Sequence, residues 1–312
     1  MSSTTPSLPD KPKSRTPLIA GIVAAVVVVA VVVGVLLSRG GGSATTAATE
    51  RTVRIGVSDQ ALPFWRTYTD LAAERLGVEV QLVNFTDYSL PNPALAQGEV
   101  DINQFQHTQY LANYNVDAGD DLQPIGATAV YPLSLYSTTA DSADALPEGA
   151  QVALPNDAIN QARGLLVLQA AGLLTLREGG TPFSDLQDVE DSRVELVSLD
   201  ASQTANALQS GSVAAAVVNN NYAASADLAD EDVVFADDPE SPEAAPYVNL
   251  FVTRAEDADD QTYLDLAALF HDPAVLEAFS QDYPGGVVRD VDAATLQEQL
   301  AAIEEDARAA QG

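Results

Sequence analysis

From Val53 onward, short runs of valine, alanine, leucine and isoleucine alternate with longer runs that have the spacing of helices. The first run, 53–57, predicts a short buried strand. Further strands are predicted at 78–83, 122–137, 151–155, 194–199, 213–218 and 247–253. Helices are predicted at 62–76, 91–97, 160–174 and 202–209, and over most of the chain after 253. Buried strands that alternate with helices predict an α/β fold with mostly parallel sheets covered on both faces.

Two polar stretches interrupt this alternation and divide the globular part into two lobes. The stretch 141–149 is polar and acidic, and 237–246 is rich in proline, glutamate and alanine. We interpret both as crossings between lobes, so that lobe 1 comprises about 53–140 and 245–312 and lobe 2 about 141–244. Ligands of such sheets bind beyond the carboxyl ends of the strands. The sequence therefore predicts a binding site between the lobes.

The segment 17–38 contains no charged residue and consists largely of valine, alanine, leucine and isoleucine. As a helix it would span roughly 33 Å, which is enough to cross the hydrocarbon core of a membrane. Three basic residues precede it and one follows closely, so the positive-inside rule places 1–16 in the cytoplasm and the rest of the chain outside. The sequence thus predicts a single-pass transmembrane helix, followed by a flexible tether at 39–52. The alternative is a cleaved signal peptide, since small residues at 43–48 offer a cleavage site.

The charge of the globular part argues against one class of function. From Arg51 onward the chain has 43 acidic residues, ten arginines and no lysine. A surface this negative repels phosphate backbones, so nucleic-acid binding is a poor hypothesis. We interpret the charge as an acidic coat that keeps the protein soluble.

The sequence lacks the motifs that indicate catalysis or a bound cofactor. It contains no P-loop, no GxGxxG after the first strand, no GxSxG elbow and no HExxH. It has no cysteine, which excludes disulfides, thiol chemistry and a lipid-bearing cysteine. His107 and His271 are the only histidines, too few for a histidine-rich metal site. The sequence predicts no enzymatic activity, no cofactor and no metal site.

Four segments place polar and aromatic residues where predicted strands end. They are 85–92, 101–111, 154–163 and 216–222. Each is a weak signal alone, because an arginine near a helix start is usually exposed, a lone histidine is usually structural and a run of asparagines often forms a turn. Their occurrence together and in order indicates a pocket.

The four segments contain the sequences FTDYSLPN, DINQFQH, PNDAINQAR and VNNNY. Together they resemble the NlpA/MetQ family of methionine-binding lipoproteins, whose patterns are similar to FxDYxLPN, DxNxFQH, PNDxxNxxR and VNxxY. The resemblance runs from about 53 to 286. It implies a two-lobed type II periplasmic-binding-protein fold over 53–312. It also implies an extracytoplasmic role in an ABC importer, with methionine (the L form favoured) as ligand and a permease with a cytoplasmic ATPase as partner.

The same resemblance implies the residues of the ligand site. The family's amino-acid carboxylate is held by the arginine that matches Arg163, with help from Asn160. The ammonium is held by the asparagines that match Asn219 and Asn249. The ligand side chain lies among aromatic and imidazole rings, with one further tyrosine at the border of the pocket; these rings match Tyr88, Phe105, His107, Tyr110 and Tyr131. A planar guanidinium suits a carboxylate because it can donate two parallel hydrogen bonds to it.

Some positions depart from the family pattern, and alternatives remain open. Ala158, Ile159 and Ala162 stand where the family usually has proline, a small polar residue and glycine, and the loop 58–65 also differs. The alternatives are a binding protein for another amino acid, an anchored nutrient sensor without a transporter, and an enzyme on the same fold. The enzyme hypothesis requires an essential acid near the arginine, for which Asp157 is the candidate.

Overall fold

The computed structural model describes residues 51–311. Its strands are β1 (Arg51–Val57), β2 (Val78–Asn84), β3 (Ile102–Gln104), β4 (Gln123–Ala127), β5 (Ala129–Val130), β6 (Ser134–Tyr136), β7 (Gln151–Pro155), β8 (Leu174–Leu176), β9 (Val189–Ser192), β10 (Glu195–Leu199), β11 (Ala215–Val218), β12 (Val233–Ala236), β13 (Leu250–Thr253) and β14 (Val287–Val288). Its α-helices are α1 (Phe64–Leu71), α2 (Pro91–Ala96), α3 (Thr108–Ala118), α4 (Ala158–Ala170), α5 (Ala201–Gln209), α6 (Asn220–Ser225), α7 (Gln261–Leu269), α8 (Pro273–Asp282) and α9 (Ala293–Gln311).

The first lobe is built on a five-stranded sheet in the order β2-β1-β3-β13-β4. β1 runs parallel to β2 and β3, as expected for strands connected through helices. β13 returns from the far end of the chain and runs antiparallel to β3 and β4. The sheet is therefore mixed, because one of its central strands enters from the second half of the sequence.

The second lobe repeats this plan with a five-stranded sheet in the order β10-β7-β11-β6-β12. β7 is parallel to β10 and β11, whereas β6 is antiparallel to β11 and β12. β6 thus belongs to the second sheet, although its sequence position lies inside the range predicted for lobe 1. The chain leaves the first sheet before Leu133, earlier than the polar stretch that suggested a crossing, because β6 itself supplies a buried central strand.

The fold is the predicted two-lobed α/β architecture, but the predicted transmembrane helix requires a correction. No helix within residues 51–311 is long and apolar enough to cross a membrane. The segments assigned to a cytoplasmic end, a membrane anchor and most of a tether, 1–50, lie outside the described residues. The fold class is therefore a two-lobed α/β protein without a membrane-spanning helix in its described part.

A cluster of aromatic side chains joins the first and last parts of lobe 1. Phe64 and Trp65 of α1 are buried, and Phe64 packs edge-on against Phe279 of α8 with ring centroids 5.6 Å apart. Phe64 also contacts Tyr283, which follows α8, at 6.1 Å between centroids. Buried aromatic pairs of this kind add about 0.5–1.5 kcal/mol each beyond the area they bury. The cluster fixes the loop that precedes α1, and this loop forms one wall of the cleft described below.

Helix α7 packs so closely on the first sheet that it requires a glycine. A Cβ on Gly126 in β4 would lie 2.8 Å from the Cβ of Ala267 in α7. We expect Gly126→Ala to lower the free energy of unfolding by about 1–3 kcal/mol, the usual range for overpacking. The measurement is chemical denaturation of the full-length chain followed by circular dichroism.

The matched control is Gly164→Ala in α4, where the nearest atom to an added Cβ is 3.6 Å away. Since this is an ordinary contact and alanine has the higher helix propensity, this variant should be as stable as the wild type or up to about 1 kcal/mol more stable. Equal effects of the two substitutions would contradict the close packing of α7.

Candidate functional site

A cleft lies between the two sheets, with a volume of about 610 Å³ counted out to its open mouth. Both lobes line it, and its polar residues follow the ends of β3, β7 and β11, as the sequence predicted. The nine residues predicted for the site all lie in this lining: Tyr88, Phe105, His107, Tyr110, Tyr131, Asn160, Arg163, Asn219 and Asn249. Tertiary structure therefore gathers the four sequence segments around one cavity.

Arg163 lies on α4, and its side chain is only 6% exposed. Its Nε donates a hydrogen bond to Oδ2 of Asp237 at 2.8 Å, and its Nη2 donates to Oδ1 of Asp237 at 3.2 Å. Nη2 also donates to the carbonyl oxygen of Tyr131 at 2.8 Å, and the guanidinium lies 4.2 Å from the centroid of the Tyr247 ring. Asp237 is therefore the ion-pair partner of the arginine that was predicted to bind the ligand.

This pairing leaves one side of the guanidinium available. Nη1 of Arg163 has no hydrogen-bond partner within residues 51–311. Asp237 is held in turn by the backbone N–H of Leu133, which donates to its Oδ1 at 2.7 Å. The arginine therefore enters the cleft already oriented, and its charge is largely balanced by a neighbouring carboxylate. It can still donate to an anion, but with less electrostatic attraction than an unpaired guanidinium.

A chain of amide hydrogen bonds orients Asn219. Asp157 caps the start of α4, where its Oδ1 accepts from the backbone N–H of Asn160 at 2.9 Å. Nδ2 of Asn160 donates to the same carboxylate, and Oδ1 of Asn160 accepts from Nδ2 of Asn219 at 2.8 Å. The carbonyl oxygen Oδ1 of Asn219 is left buried and without a partner in the described structure. An unpaired buried acceptor in the cleft lining is suited to an N–H donor of a ligand.

His107 presents the opposite function, an unpaired donor. It lies at the N-cap of α3, where its Nδ1 accepts from the backbone N–H of Tyr110 at 3.2 Å. This bond places the proton of a neutral imidazole on Nε2, which is buried and has no partner in the described structure. Burial, together with the nearby charge of Arg163, lowers the pKa of His107 to about 3. The ring is therefore neutral at physiological pH and offers one N–H to the cleft.

Aromatic rings form an apolar wall beside these polar groups. Phe105 packs against Tyr88 and Tyr110, with centroids 6.0 Å and 5.8 Å away. Tyr222 of α6 contacts Tyr88 from the other lobe at 5.0 Å. On another side, Tyr131 packs against Tyr283 at 4.8 Å. Rings of this kind suit an unbranched apolar or thioether side chain.

Buried amides support the site from behind. Nδ2 of Asn92 donates to Oε1 of Gln106 at 2.8 Å, and its Oδ1 accepts from Asn103 at 2.9 Å. Nε2 of Gln106 donates back to Oδ1 of Asn103 at 3.0 Å. This closed network fixes the segment before His107. The segment is also tied to β13, because the backbone of His107 forms a β-bridge with Asn249.

Hydrogen bonds cross the cleft directly and join the two lobes. The hydroxyl of Tyr88 in lobe 1 donates to Oδ1 of Asn221 in α6. Nδ2 of Asn221 donates to Oγ of Ser58 at 3.3 Å, and the hydroxyl of Tyr222 donates to the carbonyl of Thr86 at 3.1 Å. The described conformation is thus a closed one, in which α6 bonds to two loops of lobe 1.

Sequence reasoning missed eight residues of the lining: Ser58, Asp59, Gln104, Gln106, Leu133, Asn220, Asn221 and Tyr283. Ser58 and Asp59 follow β1 directly, in the same position that other site residues hold after their strands, and this was a usable signal. Tyr283 follows α8 at the far end of the chain, and nothing in its local sequence points to the cleft. Among the described residues no group of three or more histidines and acids is arranged to hold a metal ion.

The chain is similar in sequence to a family of known proteins. A family model for the NlpA lipoprotein matches residues 53–291. The D-methionine-binding lipoprotein MetQ of Salmonella typhimurium is 39% identical over 222 residues, which cover 70% of this chain and 80% of the relative. MetQ of Escherichia coli K12 is 38% identical over 222 residues, which again cover 70% of this chain and 80% of the relative.

Two solved structures are similar to this chain over most of their own length. The crystal structure of the methionine-binding protein MetQ superposes with a TM-score of 0.72 and 34% identity, covering 77% of this chain and 99% of that one. A nutrient-binding protein from Burkholderia cenocepacia bound to methionine gives a TM-score of 0.70 and 32% identity, over 76% of this chain and 99% of that one. With these matches, the chain belongs to the NlpA lipoprotein family.

Proposed function

We propose that this chain is the extracytoplasmic substrate-binding component of an ABC importer and that it captures methionine. Membership of the NlpA family and similarity to MetQ proteins and to a methionine-bound structure support this function. The observation that carries it is a complementary pair of unsatisfied groups in one cleft. Nε2 of His107 is an unpaired donor and Oδ1 of Asn219 is an unpaired acceptor, and a free amino acid supplies the partner of each.

The geometry supports one orientation of the ligand. The carboxylate faces Nη1 of Arg163 and the Nε2–H of His107, which are the available donors. The ammonium faces Oδ1 of Asn219. The side chain lies against the aromatic wall of Tyr88, Phe105 and Tyr110, where each sulfur–aromatic contact contributes about 0.3–1.5 kcal/mol.

These contributions are consistent with tight binding. Burial of a thioether side chain contributes about 2–3 kcal/mol, and each hydrogen bond to a charged group about 1.5–3 kcal/mol. Micromolar to nanomolar affinity corresponds to about −8 to −12 kcal/mol after the ordering cost of association, so binding in this range needs all of these contacts together. Because Asp237 already balances Arg163, the carboxylate contribution belongs at the lower end of its range.

Delivery to a transporter requires that the lobes open and close. Two chain segments connect the sheets, one before β6 and one between β12 and β13, and such connections act as hinges. The closed form buries the ligand, and a membrane permease driven by a cytoplasmic ATPase receives it. No bond is made or broken in this role. Asp157, the acid considered for catalysis, is occupied as the cap of α4 and the partner of Asn160.

The direct test is calorimetric titration of the full-length chain after unfolding and refolding to remove bound ligand. The titrants are L-methionine, D-methionine and a panel of other amino acids. Submicromolar binding of methionine, with weak or no heat from the panel, is the expected result. Binding of a different amino acid would keep the transport role but change the ligand, and silence with every titrant would overturn the proposal.

Arg163→Met should weaken binding of methionine by about tenfold or more, since at least one charge-assisted hydrogen bond is lost. Methionine amide, whose neutral carbonyl makes a weaker hydrogen bond to the guanidinium than a carboxylate does, should lose less affinity than methionine in this variant. Titration of both ligands against both proteins measures the interaction between the guanidinium and the carboxylate. Equal losses for the two ligands would show that Arg163 acts only through its pairing with Asp237.

Arg254→Met is the matched control for this series. Arg254 is also partly buried and paired with an acid, Asp257, and it donates to two carbonyls of lobe 1. It does not line the cleft. This variant should lose stability but retain the affinity of the wild type for methionine.

Asn221→Ala removes two hydrogen bonds that join the lobes in the closed form, those with Tyr88 and Ser58. At about 0.5–1.5 kcal/mol for each bond, affinity for methionine should fall about five- to a hundredfold, chiefly through faster dissociation. Stopped-flow measurement of the dissociation rate checks this expectation. Ser225→Ala, which removes an exposed bond within the same helix, should leave the rate unchanged.

A further inference from the structure

Asp59 is a buried acid in the wall of the cleft, in a loop that departs from the family pattern. It is 8% exposed and directly follows Ser58, which bonds across the cleft to Asn221. Its Oδ1 accepts from the indole Nε1 of Trp65 at 2.7 Å, and its Oδ2 accepts from the hydroxyl of Tyr283 at 2.5 Å. Each carboxylate oxygen has a second lone pair that these two bonds do not use.

No positive charge compensates this carboxylate. Among residues 51–311 it forms no ion pair, and both of its hydrogen-bond donors are neutral groups. A buried carboxylate without a cation is unfavourable, and burial raises the pKa of Asp59 to about 6. The carboxylate of Asp59 is thus unfavourable in the cleft wall, and a positively charged partner would stabilise it.

The charge balance of the whole cleft leads to the same conclusion. Arg163 is the sole cationic residue in the described lining, and Asp237 already balances it. His107 is neutral, since its pKa is lowered to about 3 by burial and by Arg163. With Asp59 ionised, Arg163, Asp237 and Asp59 together carry a net negative charge. A ligand with only a carboxylate adds to that charge, whereas a ligand that also carries an ammonium does not.

We propose that Asp59 is a specificity-determining residue that recognises the positively charged ammonium of the ligand and rejects carboxylic acids that lack it. The inference rests on the proposed function and extends it to the class of ligand that the cleft admits. Asn219 supplies a neutral acceptor to the ammonium, and Asp59 supplies the negative charge. The cleft then selects amino acids over the hydroxy acids and keto acids derived from them.

The test compares L-methionine with its 2-hydroxy analogue, which replaces the ammonium by a hydroxyl. Calorimetric titration at pH 8 of the full-length chain keeps Asp59 ionised. The wild type should bind methionine at least about tenfold more tightly than the analogue. In Asp59→Asn, affinity for methionine should fall about tenfold or more, while affinity for the analogue stays the same or rises because a repulsion is removed.

Asp101→Asn is the matched control. Asp101 is a partly buried acid of the same lobe that pairs with Arg54 and does not line the cleft. Its substitution should not change the preference for methionine over the analogue. This control separates loss of charge in the cleft from general loss of stability.

Three results would overturn the inference. One is that the wild type binds methionine less than about threefold more tightly than the 2-hydroxy analogue. This result needs no variant, so it does not depend on whether Asp59→Asn folds. Another is that Asp59→Asn lowers the affinity for methionine and for the analogue by the same factor, which would make Asp59 only a structural link between Trp65 and Tyr283. The third is an unchanged affinity for methionine in that variant.

These results remain distinct from failure of the proposed function. If the wild type binds methionine without regard to the ammonium, the transport role stands and only the role of Asp59 fails. If it binds another amino acid instead, the ligand assignment fails. The same comparison, between that amino acid and its 2-hydroxy acid, then decides the role of Asp59.

Discussion

The ion pair between Arg163 and Asp237 connects the parts of the protein on which the site depends. Arg163 belongs to α4 of the second lobe, and Asp237 begins the segment that leads back to the first. The guanidinium also holds the carbonyl of Tyr131, in the other connection between the lobes. One buried charge therefore fixes both connections relative to the helix that enters the cleft. Breaking a buried pair leaves an uncompensated charge, which is why such an interaction is a strong constraint on geometry.

The same pairing determines the electrostatics of the cleft. If the arginine were free, the cleft would attract any small carboxylate. With the arginine balanced, recognition has to come from directed hydrogen bonds and from a second charge. Under the proposed function, the cleft residues supply both. The imidazole of His107 and the amide of Asn219 are each fixed by one hydrogen bond so that their other polar atom faces no partner. In the inference drawn above, Asp59 contributes the negative charge, from a position held by Trp65 and Tyr283.

Much of the site was predictable because its residues recur in order along the chain. The four polar and aromatic segments follow strands, and the carboxyl ends of strands in an α/β lobe converge on one edge. The nine site residues that the family resemblance implied all line the cleft, seven of them from these four segments. Two residues that were missed owe their position to long-range packing. Asp237 meets Arg163 across 74 residues of sequence, and Tyr283 is brought to Asp59 by the aromatic contacts of Phe64. Neither contact has a local sequence signal.

Hydrophobic periodicity in the sequence alone indicated the α/β class, because each strand and helix needs its apolar face covered, and two polar stretches indicated two lobes with a site between them. Composition alone argued against nucleic-acid binding and excluded cysteine chemistry. The membrane anchor inferred from the apolar segment 17–38 has no counterpart among the described helices. Tertiary structure decided the place of β6 in the second sheet, the partner of Arg163 and the charge balance of the cleft. These features depend on which distant groups meet in a medium of low dielectric constant, where a single neighbouring carboxylate changes what an arginine can bind.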